Sequence, residues 1–315
     1  FKSRIIEKFF AFLTPLLYPL TVKSIPFCAK FFSEDCIESM RAARPDIIIA
    51  SGSSTIPVAL LLSKIYRAKK IALMSPPFPF SFFNFDLVIA PKHDGSLKGR
   101  NVLNTTLALS AFDSEIIKKE SSDLKMRLAQ PERLAIGLLI GGSSKNYIFN
   151  RRNMDLALDK IDWACKKLNV DFIATTCRRT DPDYEKKLEE KVKKLSSCQQ
   201  LILSDKEAAT NLVSAMIGLC KIMIATEESI SMISEPINAG KKVLILKLNK
   251  KICPKYARFH NLLIKNGLAH ISDFNNLAEK IIEIYKNTTY DLSESEKEIL
   301  KTERQALKER LAGLL

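Results

Sequence analysis

The run TEESISMISEPINAGKKVLIL, residues 226–246, decides how this chain is read. It follows the stretch KIMIA (221–225), which has the length and apolar character of a parallel strand buried on both faces. The polar residues Thr226, Glu227, Glu228 and Ser229 then offer side chains that can cap a helix over 231–239. Gly240 stands where a helix ends in a left-handed turn, and 243–246 restarts a buried strand. Nucleotide-binding α/β domains build a ligand-receiving edge in this order, and Glu235, inside the helix, is placed to face a ligand lying over the strand ends.

The same grammar extends in both directions. PDIIIA (45–50), KIALM (70–74) and LVIAP (87–91) are short apolar strands, with a helix over 56–66 between the first two. A charged helix over 111–128 runs into Pro131, which makes 130/131 the expected domain boundary. Strands over 134–140, 170–175 and 200–203 then alternate with helices over 153–168, 183–195 and 208–218, and helices over 278–285 and 294–314 close the chain. The expectation is an α/β protein of two Rossmann-like, doubly wound domains, 1–130 and 131–285, facing each other across a cleft, with a C-terminal helical stretch over 286–315. Ligands of such sheets sit beyond the carboxyl ends of the strands.

A chain of 315 residues with 46% hydrophobic composition buries a substantial core, and its net charge is +14. The surplus is +7 in 1–130, +7 in 131–285 and zero in 286–315. Spread this evenly, it suits an anionic small ligand or an anionic membrane surface at least as well as nucleic acid, and no zinc knuckle, RNA-recognition signature or basic zipper is present. Seven cysteines without C-x-x-C pairing read as reduced thiols of a cytosolic protein. The dispersed His93, His260 and His270 give no metal site. IIEKFFAFLTPLLYPL (5–20) contains Glu7, Lys8, Pro15 and Pro19 and falls short of the ~20 apolar residues of a spanning helix. It reads either as an amphipathic helix facing a membrane or acceptor, or as a core helix of the first domain. The chain opens on Phe1, and the first domain is expected to be incomplete at its start.

Chemistry is expected in the loops that follow strands, where backbone amides and helix N-termini meet anions. Gly141-Gly142-Ser143-Ser144-Lys145 combines close backbone approach, two hydroxyls and a charge, without the spacing of an ATPase P-loop. Thr175-Thr176-Cys177-Arg178-Arg179-Thr180 places arginines where a diphosphate can be gripped, and adjacent side chains diverge, so one of the two points inward. In the first domain, Gly52, Ser53 and Ser54 follow one strand and His93-Asp94 another, the latter a candidate acid/base pair or sugar-hydroxyl contact. Each of these also reads as an ordinary polar turn.

Together, PDIIIASGSST, FDLVIAPKHD, NVLNTTLAL, LLIGGSSKNY, TTCRRT and EESISMISE resemble, in order and approximate spacing, the elongated-mitochondria (ELM) mitochondrial-fission family, whose bacterial members look like glycosyltransferases. The resemblance runs from about Pro45 to Leu246. It implies a GT-B architecture, a nucleotide-sugar donor held by the C-terminal domain, no cofactor and no required metal. It further implies that Glu235 hydrogen-bonds the donor ribose, that Ser229 and Ser231 lie near the diphosphate or sugar, and that Gly141, Gly142 and Ser143 approach the donor from the interdomain side; Ser144, Lys145, Thr176 and Glu228 are expected beside them on the donor side. Arg178 would neutralise the leaving diphosphate, and Gly52, Ser53, Ser54 and His93 would line the acceptor side. Bacterial members carry a Gly-Lys-x-Gly-His loop early in the first domain, and no stretch here matches it. Glu227-Glu228 stands where the family more often has one acidic residue. The expected function is a metal-independent glycosyltransferase moving a sugar from a nucleotide-sugar to a cell-envelope acceptor, in the cytoplasm or peripheral on the inner membrane face. A non-catalytic adaptor on the same fold, acting through a protein partner, and a nucleotide-sugar epimerase are the alternatives.

Overall fold

The computed structural model describes residues 34–52, 54–80, 84–95, 97–110, 113–133, 135–203 and 212–314. The oily stretch over 5–20, Ser53 and the start of the helix expected over 208–218 lie outside them. The chain divides into two compact units, one of Phe1–Thr105 with Thr302–Leu315 and one of Thr106–Lys301.

In the first unit, helix α1 (Glu34–Ala42) precedes strand β1 (Ile47–Ser51), helix α2 (Ile56–Tyr66), β2 (Lys69–Leu73), β3 (Leu87–Pro91) and β4 (Val102–Thr105). The four strands are parallel, in the order β1-β2-β3-β4. Alternation along them sorts side chains to two faces. Ala50, Ala72, Val88 and Ala90 pack with Ile56, Ala59 and Leu60 of α2. Ile71, Leu87 and Ile89 meet Leu307, Leu311 and Leu314 near the end of the chain. β4 was not foreseen, because VLNT is short and half polar.

The second unit runs α3 (Ser114–Arg127), β5 (Ala135–Leu139), α4 (Arg151–Leu168), β6 (Asp171–Thr175), α5 (Pro182–Val192), β7 (Cys198–Ile202), α6 (Leu212–Leu219) and β8 (Cys220–Thr226). Then come α7 (Ile230–Asn238), β9 (Val243–Lys247), α8 (Pro254–Lys265), β10 (Ala269–Asp273), α9 (Leu277–Lys286) and α10 (Glu294–Ala312). The sheet order is β10-β9-β8-β5-β6-β7, all parallel. The chain therefore lays β6 and β7 to one side of β5, returns, and lays β8, β9 and β10 to the other. This doubly wound arrangement parts the loops after β5 and β8 and opens a crevice at the switch point. Ile136 and Leu138 of β5 with Ile222 and Ile224 of β8 face α4, α5 and α9, while Leu139, Met223 and Ala225 face α6, α7 and α8.

The boundary differs from the one expected at Pro131. Asp113 caps α3 by accepting from Glu115 N and Ile116 N, and α3 then packs on α6, with Leu124 and Leu128 in the core of the second unit. The contact is close because Gly218 has no side chain: a Cβ there would lie 2.8 Å from Ser121 Cβ and 2.9 Å from Ile117 Cγ2. Thus α3 belongs to the second unit, and Pro131 marks a turn within it. Likewise α10 gives Leu300 to the core of the second unit and Leu307 and Leu311 to that of the first.

Gly218→Leu is expected to force α3 from α6 and destabilise the protein by about 1–3 kcal/mol, the usual range for overpacking, read from the midpoint of urea unfolding. A midpoint equal to that of the unsubstituted protein would show that the contact is not tight.

Candidate functional site

The crevice at the switch point is built around two adjacent, buried carboxylates at the end of β8. Their side chains leave in opposite directions. Glu228 turns toward β5, where its Oε1 accepts from Gly142 N at 2.8 Å and from Thr226 Oγ1 at 3.2 Å. The Thr226 hydroxyl in turn accepts from Gly141 N at 2.9 Å. Glu227 turns toward β9, and its Oε1 collects Tyr147 OH at 2.9 Å, Leu248 N at 3.0 Å and Asn249 N at 2.8 Å. Burial holds both carboxyls above the ordinary Glu range, against the hydrogen bonds that pull them down. Tyr147 is raised by burial and by its two carboxylate neighbours, so it stays a donor. Beneath them, His260 Nε2 lies 2.8 Å from Glu227 O, and burial pushes its pKa down to about 4, so the ring is neutral at physiological pH.

The two glycines are explained by this packing. A Cβ on Gly141 would sit 1.6 Å from Glu228 Oε1, and one on Gly142 would sit 2.1 Å from Arg179 O. Both residues are buried, and both amides are engaged, on Thr226 and Glu228. The expected approach of these amides to a phosphate is therefore corrected: they hold the loop down. Thr180 closes it from the other side, donating to Gly141 O at 2.8 Å. Of the paired arginines, Arg179 reaches this loop. Its Nη1 donates to Gly142 O at 3.4 Å, and Nη2 is 4.0 Å from Glu228 Oε1. Arg178, the expected one, is exposed in the same turn. Thr176 turns inward and donates to Glu185, so its hydroxyl does not face the donor side.

At the start of α7, Ser229 is buried and makes no side-chain cap, and Ile233 N is the first helical amide bonded back, to Ser229 O. The opening amides of this helix are left for solvent or a ligand. Ser231 is exposed on the first turn, and Glu235, one turn on, is half-buried. Burial alone raises the Glu235 carboxyl. In the loop after β5, Ser143 and Lys145 are exposed, Ser143 Oγ accepts from Phe149 N at 3.1 Å, and Ser144 Oγ is 3.5 Å from Tyr256 OH.

In the first unit, Gly52 has φ 88°, and Thr55 closes the turn around the half-buried Ser54 by donating to Ser51 O and Gly52 O. His93 lies in a single 3-10 turn after β3, 2% exposed, with Nε2 3.8 Å from Asp94 Oδ1. That separation is too long for a hydrogen bond, and the ring is not presented at the surface, so the pair is not a preformed acid/base dyad. Among the described residues no three His, Cys, Asp or Glu side chains converge to hold a metal ion, and no helix is long and apolar enough to cross a membrane.

Sequence reasoning passed over Tyr147 and Asn249, and it placed Thr226, Glu227, Arg179 and Thr180 in strand-end loops without giving any of them the contact seen here. Their one signal was polarity at strand ends.

The model of the family described as mitochondrial fission ELM1 matches residues 13–299. The chain belongs to this family. An uncharacterised Rickettsia prowazekii (strain Madrid E) relative, RP120, is 23% identical over 313 residues, covering 85% of this chain and 84% of that protein. Among solved structures, the ELM1-family chain is similar to UDP-GlcNAc 2-epimerase of Neisseria meningitidis bound to UDP-GlcNAc, with TM-score 0.52, 13% identity and coverage of 85% and 78% of the two chains. It is similar to the UDP-GlcNAc 2-epimerase of Methanocaldococcus jannaschii at TM-score 0.50, 12% identity and coverage of 84% and 78%. A weaker likeness is to the ADP-heptose LPS heptosyltransferase II of E. coli, at 0.48, 8%, and 80% and 78%. The fold is GT-B-like, the arrangement found in these epimerases.

Two outcomes test the geometry. Gly142→Ala cannot keep the loop on the Arg179 carbonyl, and its melting temperature is expected to fall by several degrees, equivalent to about 1–3 kcal/mol. Glu227→Gln keeps an acceptor oxygen but does not titrate. Because the folded-state pKa of Glu227 is raised above the ordinary 4.5, its contribution is complete below that value and is lost as pH rises through the raised one. The stability of E227Q relative to the unsubstituted protein is therefore expected to increase in urea unfolding as pH rises from 4.5 through the raised value. Parallel curves would contradict the burial of an ionisable group there.

Proposed function

We propose that this ELM1-family protein is a metal-independent glycosyltransferase that takes a sugar from a nucleotide-sugar donor held by the second unit. The observation that carries the reading is the uncapped N-terminus of α7 at the switch point, with Ser231 and Glu235 one turn apart behind it. Free amides at the positive end of a helix suit a diphosphate. A carboxylate one turn further suits the vicinal hydroxyls of a ribose, and Glu235, desolvated without a charged neighbour, gains by accepting them. Arg179 takes the role first given to Arg178, because its guanidinium already lies over the Gly-Gly loop.

In the transfer, the acceptor oxygen forms a bond to the anomeric carbon as the bond from that carbon to the diphosphate oxygen breaks. The leaving group gathers negative charge, and the α7 amides with Arg179 stabilise it there. The acceptor loses a proton in the same reaction, and the base that receives it is not assigned. The basic surplus supports an anionic acceptor surface such as the cell envelope, met from the cytoplasmic side. UDP is the first nucleotide to try, since the Neisseria epimerase holds a UDP-sugar on this fold.

By calorimetry the unsubstituted protein is expected to bind UDP or ADP, and Glu235→Ala to weaken that binding at least about tenfold, some 1.4 kcal/mol. Absence of nucleotide binding, or an unchanged Glu235→Ala, would sink the donor-site reading and favour the adaptor.

A further inference from the structure

A cavity of about 570 Å³ opens between the loops after β5 and β9, lined by Lys145, Tyr147 and Ile148 on one side and Asn249, Lys250 and Lys251 on the other. Every lining residue belongs to the second unit. Its walls are fixed. Tyr147 and the Asn249 amide share the buried Glu227 oxygen, and Asn249 Nδ2 donates to Ile148 O at 2.9 Å, which ties one wall to the other.

The cavity's charge is one-sided. Lys145, Lys250 and Lys251 are exposed and form no ion pair among the described residues. No Asp or Glu occurs between residues 236 and 272, a stretch with eight Lys or Arg, nor between 133 and 154. No carboxylate lines the cavity, and Glu227, to which the lining residues Tyr147 and Asn249 donate, already accepts three donors on one oxygen. Three lysines lining one space repel each other through their ammonium groups, and a multiply charged anion removes that repulsion.

We propose that this cavity is a phosphate-binding subsite, which takes a phosphate carried by the substrate in addition to the diphosphate of the nucleotide. Its role rests on the donor-site reading above, but its chemistry does not. A phosphate ester bears up to about two negative charges and can be met by ammonium groups from several directions, as lysines meet phosphates elsewhere. A carboxylate is better matched by the planar fork of arginine, and no arginine lines the cavity. The phosphate belongs either to a soluble sugar phosphate or to a lipid. Ile148, 84% exposed in the lining, is compatible with the second source as well as the first.

The test uses glucose 6-phosphate in calorimetry and vesicles of phosphatidic acid in phosphatidylcholine, with pure phosphatidylcholine as reference, in sedimentation. UDP is titrated in parallel, and melting temperatures confirm that the variants fold. The unsubstituted protein is expected to bind one of the phosphate probes. Lys250→Gln with Lys251→Gln should weaken that binding at least about tenfold, while UDP affinity stays within about twofold. Binding of glucose 6-phosphate identifies a soluble source, and binding only to phosphatidic acid vesicles identifies a lipid one. The subsite is overturned if neither probe binds, if the double variant binds as the unsubstituted protein does, or if UDP affinity falls as far as that of the probe. Loss of UDP binding by the unsubstituted protein, with the probe still bound and lost in the variant, removes the donor reading and leaves the subsite standing.

Discussion

Two neighbouring carboxylates, Glu227 and Glu228, lie buried at the end of β8, and the strand ends around them are ordered by the donors they accept. Each carboxyl gathers its donors on Oε1, while Oε2 of both lies buried without a hydrogen-bond partner among the described residues, and this burial favours the protonated form. Here the donors come mostly from main chain: Gly142 N for Glu228, and Leu248 N and Asn249 N for Glu227. Because consecutive side chains at a strand end point opposite ways, one residue pins the loop after β5 and the next pins the loop after β9. These are the two neighbours of β8 in the sheet. The absence of side chains at Gly141 and Gly142 follows from this, since either Cβ would enter space held by Glu228 or Arg179.

The division of labour at the crevice follows from the same bonds. A Gly-Gly loop at a strand end resembles an anion cradle, but here its amides are directed to protein acceptors. The available donors lie instead at the start of α7, where Ser229 makes no cap. Rigid loop and open helix end are complementary: the first sets the position of Arg179, and the second presents oriented amides without reorganisation, which is what an electrostatic site requires.

The alternation of apolar runs made most of the second sheet legible. β8, α7 and β9 fell within one or two residues of the reading. What was missed has a physical cause. α8 and β10 went unread because PKYARFHNLLIK spreads basic residues around a narrow apolar stripe, and AHISD is an edge strand with a polar His270 and Ser272. The domain boundary was misplaced because Pro131 is a strong local signal, whereas the contact of Gly218 with Ser121 that attaches α3 spans almost 100 residues and leaves no local mark. The site loops were found by position alone. Which of Arg178 and Arg179 turns inward, and whether the glycine amides are open, depends on partners brought by other strands, and a single chain segment does not carry that information.

Charge illustrates the same limit at a larger scale. Counted over 131–285 the surplus is a modest +7, and it reads as diffuse. The fold segregates it. Lys241 and Lys242 face Asp291 and Glu296, so their charge is compensated at the far end of β9. Lys145, Lys250 and Lys251 sit in the loops at the carboxyl ends of β5 and β9 and have no acidic neighbour in their own segments. Arg179 and the amino end of α7 add positive charge at the same sheet edge. Fields of exposed charges fall off over the ~8 Å screening length in physiological salt, so each group acts chiefly on an anion in its own part of the edge. The topological switch, by gathering loops that are remote in sequence, converts a weak average into a strong local potential.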